Sequence, residues 1–105
     1  MLNLSVKEFS EKIAKEGVVI LDVRTPEEFS EGYIEGAQNI DFYREDFKTE
    51  IDFLDMKFTY AVYCRSGNRS GQAVKILHDA GFQTVYNLEG GVIDWAKEGM
   101  TLVNN

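Results

Sequence analysis

Apolar residues along this chain follow two kinds of pattern, one typical of buried strands and one typical of amphipathic helices. Two runs, 18–22 and 58–63, are almost continuously apolar and rich in β-branched or aromatic residues, which predicts buried strands of a parallel sheet. Shorter strands are predicted at 37–40 and 84–88, and residues 2–4 form either a short strand or a lead-in. Helical patterns alternate with these strands. The sequence therefore predicts an α/β fold with a mostly parallel central sheet flanked by helices on both faces.

Two capping boxes predict where the first two helices begin. Ser5 is followed three positions later by Glu8, and Thr25 is followed in the same way by Glu28. In each box the hydroxyl accepts from the third amide of the helix, while the carboxylate reaches back to the amide of the cap. The first helix is expected to run to about Glu16, before a glycine.

A third helical pattern covers residues 41–55, where Phe47 and Ile51 lie on one face. Phe42 and Phe53 are additional aromatic residues in the same segment. They either cover the edge of a functional site or belong to the core. Burial in the core is the favoured interpretation, because large aromatic residues are usually buried.

A polar segment follows the strand 58–63 and Cys64, and a further helical pattern begins near Ser70. A tight strand-to-helix turn directs several backbone N–H groups at one spot, where the helix dipole is positive. Cys64 lies at the rim of that spot, and such surroundings stabilise the thiolate, which is the nucleophilic form of cysteine. A small buried thiol without chemistry is the alternative. The reactive thiolate is favoured, because Cys64 has apolar neighbours on the strand side only.

The loop 64–70, Cys-Arg-Ser-Gly-Asn-Arg-Ser, resembles the active-site loop of single-domain rhodaneses, a family of sulfurtransferases. Three other stretches are similar to that family: Asp-Val-Arg at 22–24 with Glu-Phe at 28–29, Gly-Tyr-Ile-Glu-Gly-Ala at 32–37, and Leu-Glu-Gly-Gly-Val-Ile-Asp-Trp at 88–95. Tyr33 departs from the pattern, since the family usually has histidine there. The resemblance covers nearly the whole chain and implies one rhodanese-like domain over residues 1–105.

This resemblance implies a sulfurtransferase that carries sulfur on Cys64. The thiolate would attack a sulfane donor such as thiosulfate, become a persulfide, and pass the outer sulfur to a thiol or cyanide acceptor, a protein thiol included. Arg65 and Arg69 would bind the small anionic donor, and loop amides would stabilise the persulfide charge. No metal and no organic cofactor is implied. The predicted substrate-binding residues are Arg65, Ser66, Gly67, Asn68, Arg69 and Ser70.

Asp22 and Arg24 are candidate supporting residues, because Asp22 ends a strand at the edge where parallel sheets build their sites. One hypothesis is that they form a charged cluster that orients the catalytic loop. The favoured alternative is that Arg24 pairs with Glu28 and stabilises the turn, because ionic networks in turns are usually structural.

Two other functions remain open for this loop. Phosphatases of a related fold use a Cys-x5-Arg loop, and a phosphatase or arsenate reductase is one alternative. This chain has four residues between Cys64 and Arg69, and a smaller ring of amides suits one sulfur atom better than a phosphate. A non-enzymatic rhodanese-like binding or regulatory module is the second alternative. The intact cysteine and both arginines argue against it.

The composition of the chain limits its possible binding partners and the groups that can activate Cys64. The net charge of −7 argues against nucleic-acid binding, which needs a basic face. The single cysteine excludes an internal disulfide and a resolving cysteine, so sulfur loaded on Cys64 must leave to another molecule. His78, the only histidine, lies off the apolar face of its helix, so activation of Cys64 must come from the loop and its arginines.

No apolar stretch approaches the roughly 20 residues of a membrane span. Without a signal-peptide pattern, the default expectation is the cytoplasm.

Overall fold

The computed structural model describes residues 2–104, which form a parallel sheet of five strands with five helices. The strands are β1 (Leu2–Leu4), β2 (Val18–Asp22), β3 (Gln38–Asn39), β4 (Thr59–Tyr63) and β5 (Val85–Leu88). The helices are α1 (Val6–Ile13), α2 (Pro26–Glu31), α3 (Phe47–Asp52), α4 (Asn68–Asp79) and α5 (Gly91–Lys97). The predicted α/β fold with a parallel sheet is confirmed.

The strand order in the sheet is β1-β5-β4-β2-β3, so that β4 lies in the centre between β2 and β5. In the register of the sheet, Asp22 at the end of β2 is opposite Tyr63 at the end of β4, and Val62 is opposite Asn87 of β5. The carboxyl ends of these three strands therefore meet at one edge. Parallel α/β sheets place their functional sites at this edge.

Successive side chains of β4 enter two different cores. Tyr60 and Val62 pack in the core that contains α3 and α4, whereas Ala61 and Tyr63 pack in the core that contains α1 and α5. Helices thus flank both faces of the sheet, as predicted. Cys64 continues the first alternation, and it therefore lies on the face where α4 begins.

Two helix boundaries differ from the predicted ones. Helix α1 ends at Ile13 instead of about Glu16, because its last turn tightens and the N–H of Lys15 donates to the carbonyl of Lys12 at 3.1 Å. Helix α4 begins at Asn68, two residues before Ser70. Both predicted capping boxes are present.

The helix predicted over residues 41–55 is wrong over most of its length, since only Phe47–Asp52 is helical. The carboxylate of Asp41 accepts from the N–H of Tyr43 at 2.9 Å and so holds this part in a turn. Phe42 packs against the core, whereas Phe53 is 82% exposed. The core interpretation therefore holds for Phe42 and is wrong for Phe53.

The segment after α5 is attached to the rest of the fold. Val103 exchanges two backbone hydrogen bonds with Tyr33, at 2.8 and 2.9 Å, and the ring of Tyr33 stacks on Phe29. Trp95 is 4% exposed and donates its indole N–H to the carbonyl of Thr101 at 3.0 Å. Trp95 therefore belongs to the core.

Candidate active site

Three hydrogen-bond donors converge on the sulfur atom of Cys64. The N–H of Gly67 lies 3.1 Å from Sγ, and Ser70 donates both its N–H, at 3.4 Å, and its hydroxyl, at 3.3 Å. Hydrogen bonds donated to an ionisable group favour its negatively charged form. The structure therefore gives Cys64 the surroundings that a thiolate needs.

Two opposing effects set the pKa of Cys64. Burial raises the pKa, because Cys64 is only 1% exposed and a charged sulfur loses its hydration there. Hydrogen bonds from the Ser70 hydroxyl and from the N–H groups of Ser70, Gly67 and Ser66 lower it, and they outweigh burial, so the pKa lies below its ordinary value. The side chain of His78 is 55% exposed, and its Nδ1 atom lies 3.9 Å from Asp79. The donors around Cys64 thus belong to the loop, as expected, but they are the Ser70 hydroxyl and backbone N–H groups rather than the side chains of the expected arginines.

Gly67 makes the sharp turn between the end of β4 and the start of α4. Its φ of +97° lies in the left-handed region, and a Cβ atom there would overlap the carbonyl oxygen of Glu89. The Gly67 carbonyl accepts from the N–H of Gly71 at 3.0 Å. Glycine is needed here because it adopts this conformation without steric cost.

The start of α5 holds the other side of the loop. The N–H of Val92 donates to the carbonyl of Cys64 at 3.0 Å, and the N–H of Ile93 donates to the carbonyl of Arg65 at 3.1 Å. Gly91 has a φ of +60°, and a Cβ atom on it would overlap the backbone of Arg65. Glycine at position 91 therefore permits both a positive φ and a close approach of the two backbones.

Arg69 makes a two-pronged ion pair with Glu28 instead of lying free at the mouth of the loop. Its Nη1 and Nη2 atoms lie 2.7 and 2.9 Å from the two carboxylate oxygens, and its guanidinium lies over the ring of Tyr43, 5.4 Å from the centroid. The hydrogen bonds from Arg69 lower the pKa of Glu28 to about 2. Those same bonds, with attraction to the Cys64 thiolate as a smaller contribution, raise the pKa of Arg69.

Sequence reasoning missed the roles of Glu28 and Tyr43. The sequence pattern places Glu28 in a capping box, which is present, with its Oε1 atom 3.1 Å from the N–H of Thr25. The same carboxylate also binds Arg69, and nothing in the local pattern indicates this second contact. Tyr43 is 67% exposed and lies in a turn, where the sequence pattern predicts a helix.

Asp22 and Arg24 form a buried ion pair at the end of β2. The Nη2 atom of Arg24 lies 2.7 Å from Asp22 and 2.6 Å from the carbonyl of Gly32, and both side chains are at most 6% exposed. The expected pairing of Arg24 with Glu28 is wrong. Asp22 is closer along the chain and satisfies Arg24 inside the protein, which leaves Glu28 for Arg69.

The other predicted loop residues face outward. Arg65, Ser66 and Asn68 are exposed, and Asn68 accepts a hydrogen bond from Gln72 at 3.3 Å. Within residues 2–104, the side chain of Arg65 makes no hydrogen bond or ion pair. It is therefore the arginine of the loop whose charge is not already paired.

The described part of the chain contains no group of three or more histidine, cysteine, aspartate or glutamate side chains placed to hold a metal ion. Among residues 2–104, no helix has the length and apolar character needed to cross a membrane.

Comparisons with known proteins identify relatives of this arrangement. The family model described as "Rhodanese-like domain" matches residues 5–98. A protein of Allochromatium vinosum named "Sulfurtransferase" is 35% identical over 88 residues, which are 84% of this chain and 80% of that protein. "Thiosulfate sulfurtransferase GlpE" of Pseudomonas putida is 36% identical over 84 residues, which are 77% of this chain and 72% of that protein. The crystal structure of a rhodanese-related protein from Thermoplasma volcanium is 31% identical, covers all of both chains and superimposes with a TM-score of 0.87.

Proposed function

The chain belongs to the rhodanese-like domain family and is a sulfurtransferase of the rhodanese type, and we propose that it moves a sulfane sulfur from thiosulfate or a similar donor through a persulfide on Cys64. The observation that carries this proposal is the convergence of three donors on one sulfur atom, at 3.1 to 3.4 Å. The name of the relative from Pseudomonas putida supports thiosulfate as the donor.

The first half-reaction conserves charge and needs no oxidant. The Cys64 thiolate forms a bond to the outer sulfur of thiosulfate, the S–S bond of thiosulfate breaks, and its electron pair leaves with sulfite. Cys64 then carries a persulfide with one negative charge. In the second half-reaction, an acceptor thiolate or cyanide attacks the outer sulfur and restores the thiolate. Because the sequence contains one cysteine, no second cysteine of this chain can act as the acceptor.

The loop supplies the electrostatic part of this chemistry. The same donors that favour the thiolate favour the persulfide anion, as an oxyanion hole favours a developing oxyanion. Since Cys64 is 1% exposed, a slim group such as a terminal sulfur reaches it more easily than a tetrahedral phosphate does. The hydrogen bonds that the loop donates to the sulfur favour its ionised form, and in this proposal they take the place of a general base.

Donor binding is assigned mainly to Arg65 among the predicted substrate-binding residues. Its side chain is exposed and has no ionic partner in residues 2–104, and a guanidinium matches the oxygens of a sulfonate group. Arg69 closes the side of the site, and the N–H groups of Ser66, Gly67 and Ser70 face the sulfur. The Asp22–Arg24 pair is assigned a supporting structural role, because Val23 between them donates to the carbonyl of Tyr63, next to Cys64.

Intact-protein mass spectrometry after incubation with thiosulfate tests the proposal. The wild-type protein should gain the mass of one sulfur atom, and a thiol or cyanide should remove it. Cys64→Ser should gain none while it keeps its fold, because a serine hydroxyl is neutral at neutral pH and a poor nucleophile toward sulfur. Equal loading of the variant would remove Cys64 from the mechanism.

The same preparations should be offered aryl phosphates and arsenate. Hydrolysis of aryl phosphates or reduction of arsenate without sulfur loading would overturn the proposal in favour of the phosphatase or reductase alternative. Absence of every reaction, with the thiolate intact, would favour a binding module.

A further inference from the structure

The charge of Arg69 is neutralised before any donor arrives. Both carboxylate oxygens of Glu28 bind its guanidinium, and the two side chains are only 14% and 25% exposed. Tyr43 lies over the guanidinium. An anion that enters the loop therefore meets an ion pair at this position instead of a free cation.

The helix cap fixes the carboxylate in place. The Oε1 atom of Glu28 accepts from the N–H and the hydroxyl of Thr25, each at 3.1 Å, while it also accepts from Arg69 at 2.7 Å. These contacts hold the carboxylate of Glu28, and with it a negative charge, beside Arg69.

We propose that Glu28 is a specificity-determining residue, which offsets the charge of Arg69 and so biases the site toward monoanionic sulfur donors over dianionic ones. This inference rests on the proposed function. Glu28 contributes through its charge and does not touch the reacting atoms. The net charge of −7 acts in the same direction, because it repels a dianion more strongly than a monoanion.

Two donors that differ by one charge test this bias. Thiosulfate is a dianion that leaves as sulfite, and benzenethiosulfonate is a monoanion that leaves as benzenesulfinate. In both reactions the Cys64 thiolate takes the terminal sulfur, and the electron pair of the broken S–S bond departs with the leaving group. The ratio of kcat/KM for thiosulfate to kcat/KM for benzenethiosulfonate then reports the charge preference.

Glu28→Gln removes the charge but keeps a residue that can complete the capping box. We expect this variant to raise the ratio about fivefold, as one uncompensated charge near a partly buried site would do. Glu27→Gln is the matched control, because Glu27 is an exposed neighbour in the same helix and its substitution changes the net charge equally. It should leave the ratio unchanged. If Glu28→Gln does not fold, Glu28→Ala carries the same expectation.

Alkylation of Cys64 tests the inference without any sulfur transfer. Iodoacetate is an anion and iodoacetamide is a neutral reagent of similar shape. Glu28→Gln should raise the rate of alkylation by iodoacetate relative to the rate by iodoacetamide, whereas Glu27→Gln should not. If the ratio of the iodoacetate rate to the iodoacetamide rate is unchanged or lower in Glu28→Gln, the inference is overturned. A raised alkylation ratio in a protein that loads sulfur from neither donor would overturn the proposed function alone and support the charge role of Glu28.

Discussion

Replacement of Ser70 by alanine removes one side-chain donor from the Cys64 sulfur and little else. The Ser70 hydroxyl lies 3.3 Å from the Sγ atom of Cys64, and Ser70 is fully buried near the start of α4. The backbone N–H of position 70 remains in the variant, as does the N–H of Gly67. Alanine is also a better helix former than serine, so the fold should be retained.

The expected effect follows from the energy of one charge-assisted hydrogen bond. Such a bond contributes about 1.5–3 kcal/mol, and the low end of that range is taken here because sulfur is a weak acceptor. The pKa of Cys64 should therefore rise relative to wild type. At pH values where the thiol is mostly protonated, the thiolate fraction should fall about tenfold. A more basic thiolate is intrinsically about threefold more reactive, so the observed alkylation rate should fall about threefold.

The assay is the pH dependence of alkylation by neutral iodoacetamide, followed by mass spectrometry at Cys64. The midpoint of the rate profile should shift to higher pH in Ser70→Ala, and the plateau at high pH should be about threefold above that of wild type. Ser66→Ala is the control, because Ser66 contributes its backbone N–H to the sulfur while its side chain is exposed. An unchanged midpoint in Ser70→Ala would refute the assignment of the hydroxyl as a thiolate-stabilising donor.

Three further predictions concern the surroundings of the loop. Arg69→Ala should lower kcat/KM for thiosulfate by a factor that corresponds to about 1.5–3 kcal/mol and slow iodoacetamide alkylation less, since it leaves the negative charge of Glu28 uncompensated beside the site; equal slowing of both reactions would limit Arg69 to thiolate activation. Gly91→Ala should lower the free energy of unfolding by about 1–3 kcal/mol and slow sulfur loading, because its φ is +60° and a Cβ would overlap Arg65. In urea denaturation, Gly91→Ala should lower the free energy of unfolding more than Gly99→Ala does, because Gly99 also has a positive φ but has open space around it. Equal losses of stability in the two variants would contradict the packing argument. Finally, the pKa of Glu28 is lowered to about 2 when folded, against about 4.3 when unfolded. The difference in the free energy of unfolding between wild type and Glu28→Gln should thus be complete above the unfolded-state pKa of about 4.3 and disappear as the pH falls through about 2. A difference that is independent of pH would contradict this assignment of the ion pair.

The sequence alone determined those features that depend on neighbours along the chain. The apolar run ending at Tyr63, the polar loop after Cys64 and both capping boxes are local patterns, and each is present in the structure. The parallel sheet follows from the alternation of strands and helices. The nucleophile could be named for the same reason, since a strand, a tight turn and a helix start are adjacent in the sequence.

Only the tertiary structure decided which charged groups are partners. Glu28 and Arg69 are 41 positions apart and meet because β2 and β4 are neighbours whose carboxyl ends share one edge. Arg24 pairs with Asp22, which is only two positions away, but that both side chains are buried follows from the packing of the fold. Long, flexible side chains have several possible partners within a local pattern, and a charge that the fold buries pairs with the opposite charge that the fold brings within hydrogen-bonding distance, because a buried charge without a partner is strongly destabilising. That choice depends on distances across the sheet, which the order of residues does not contain.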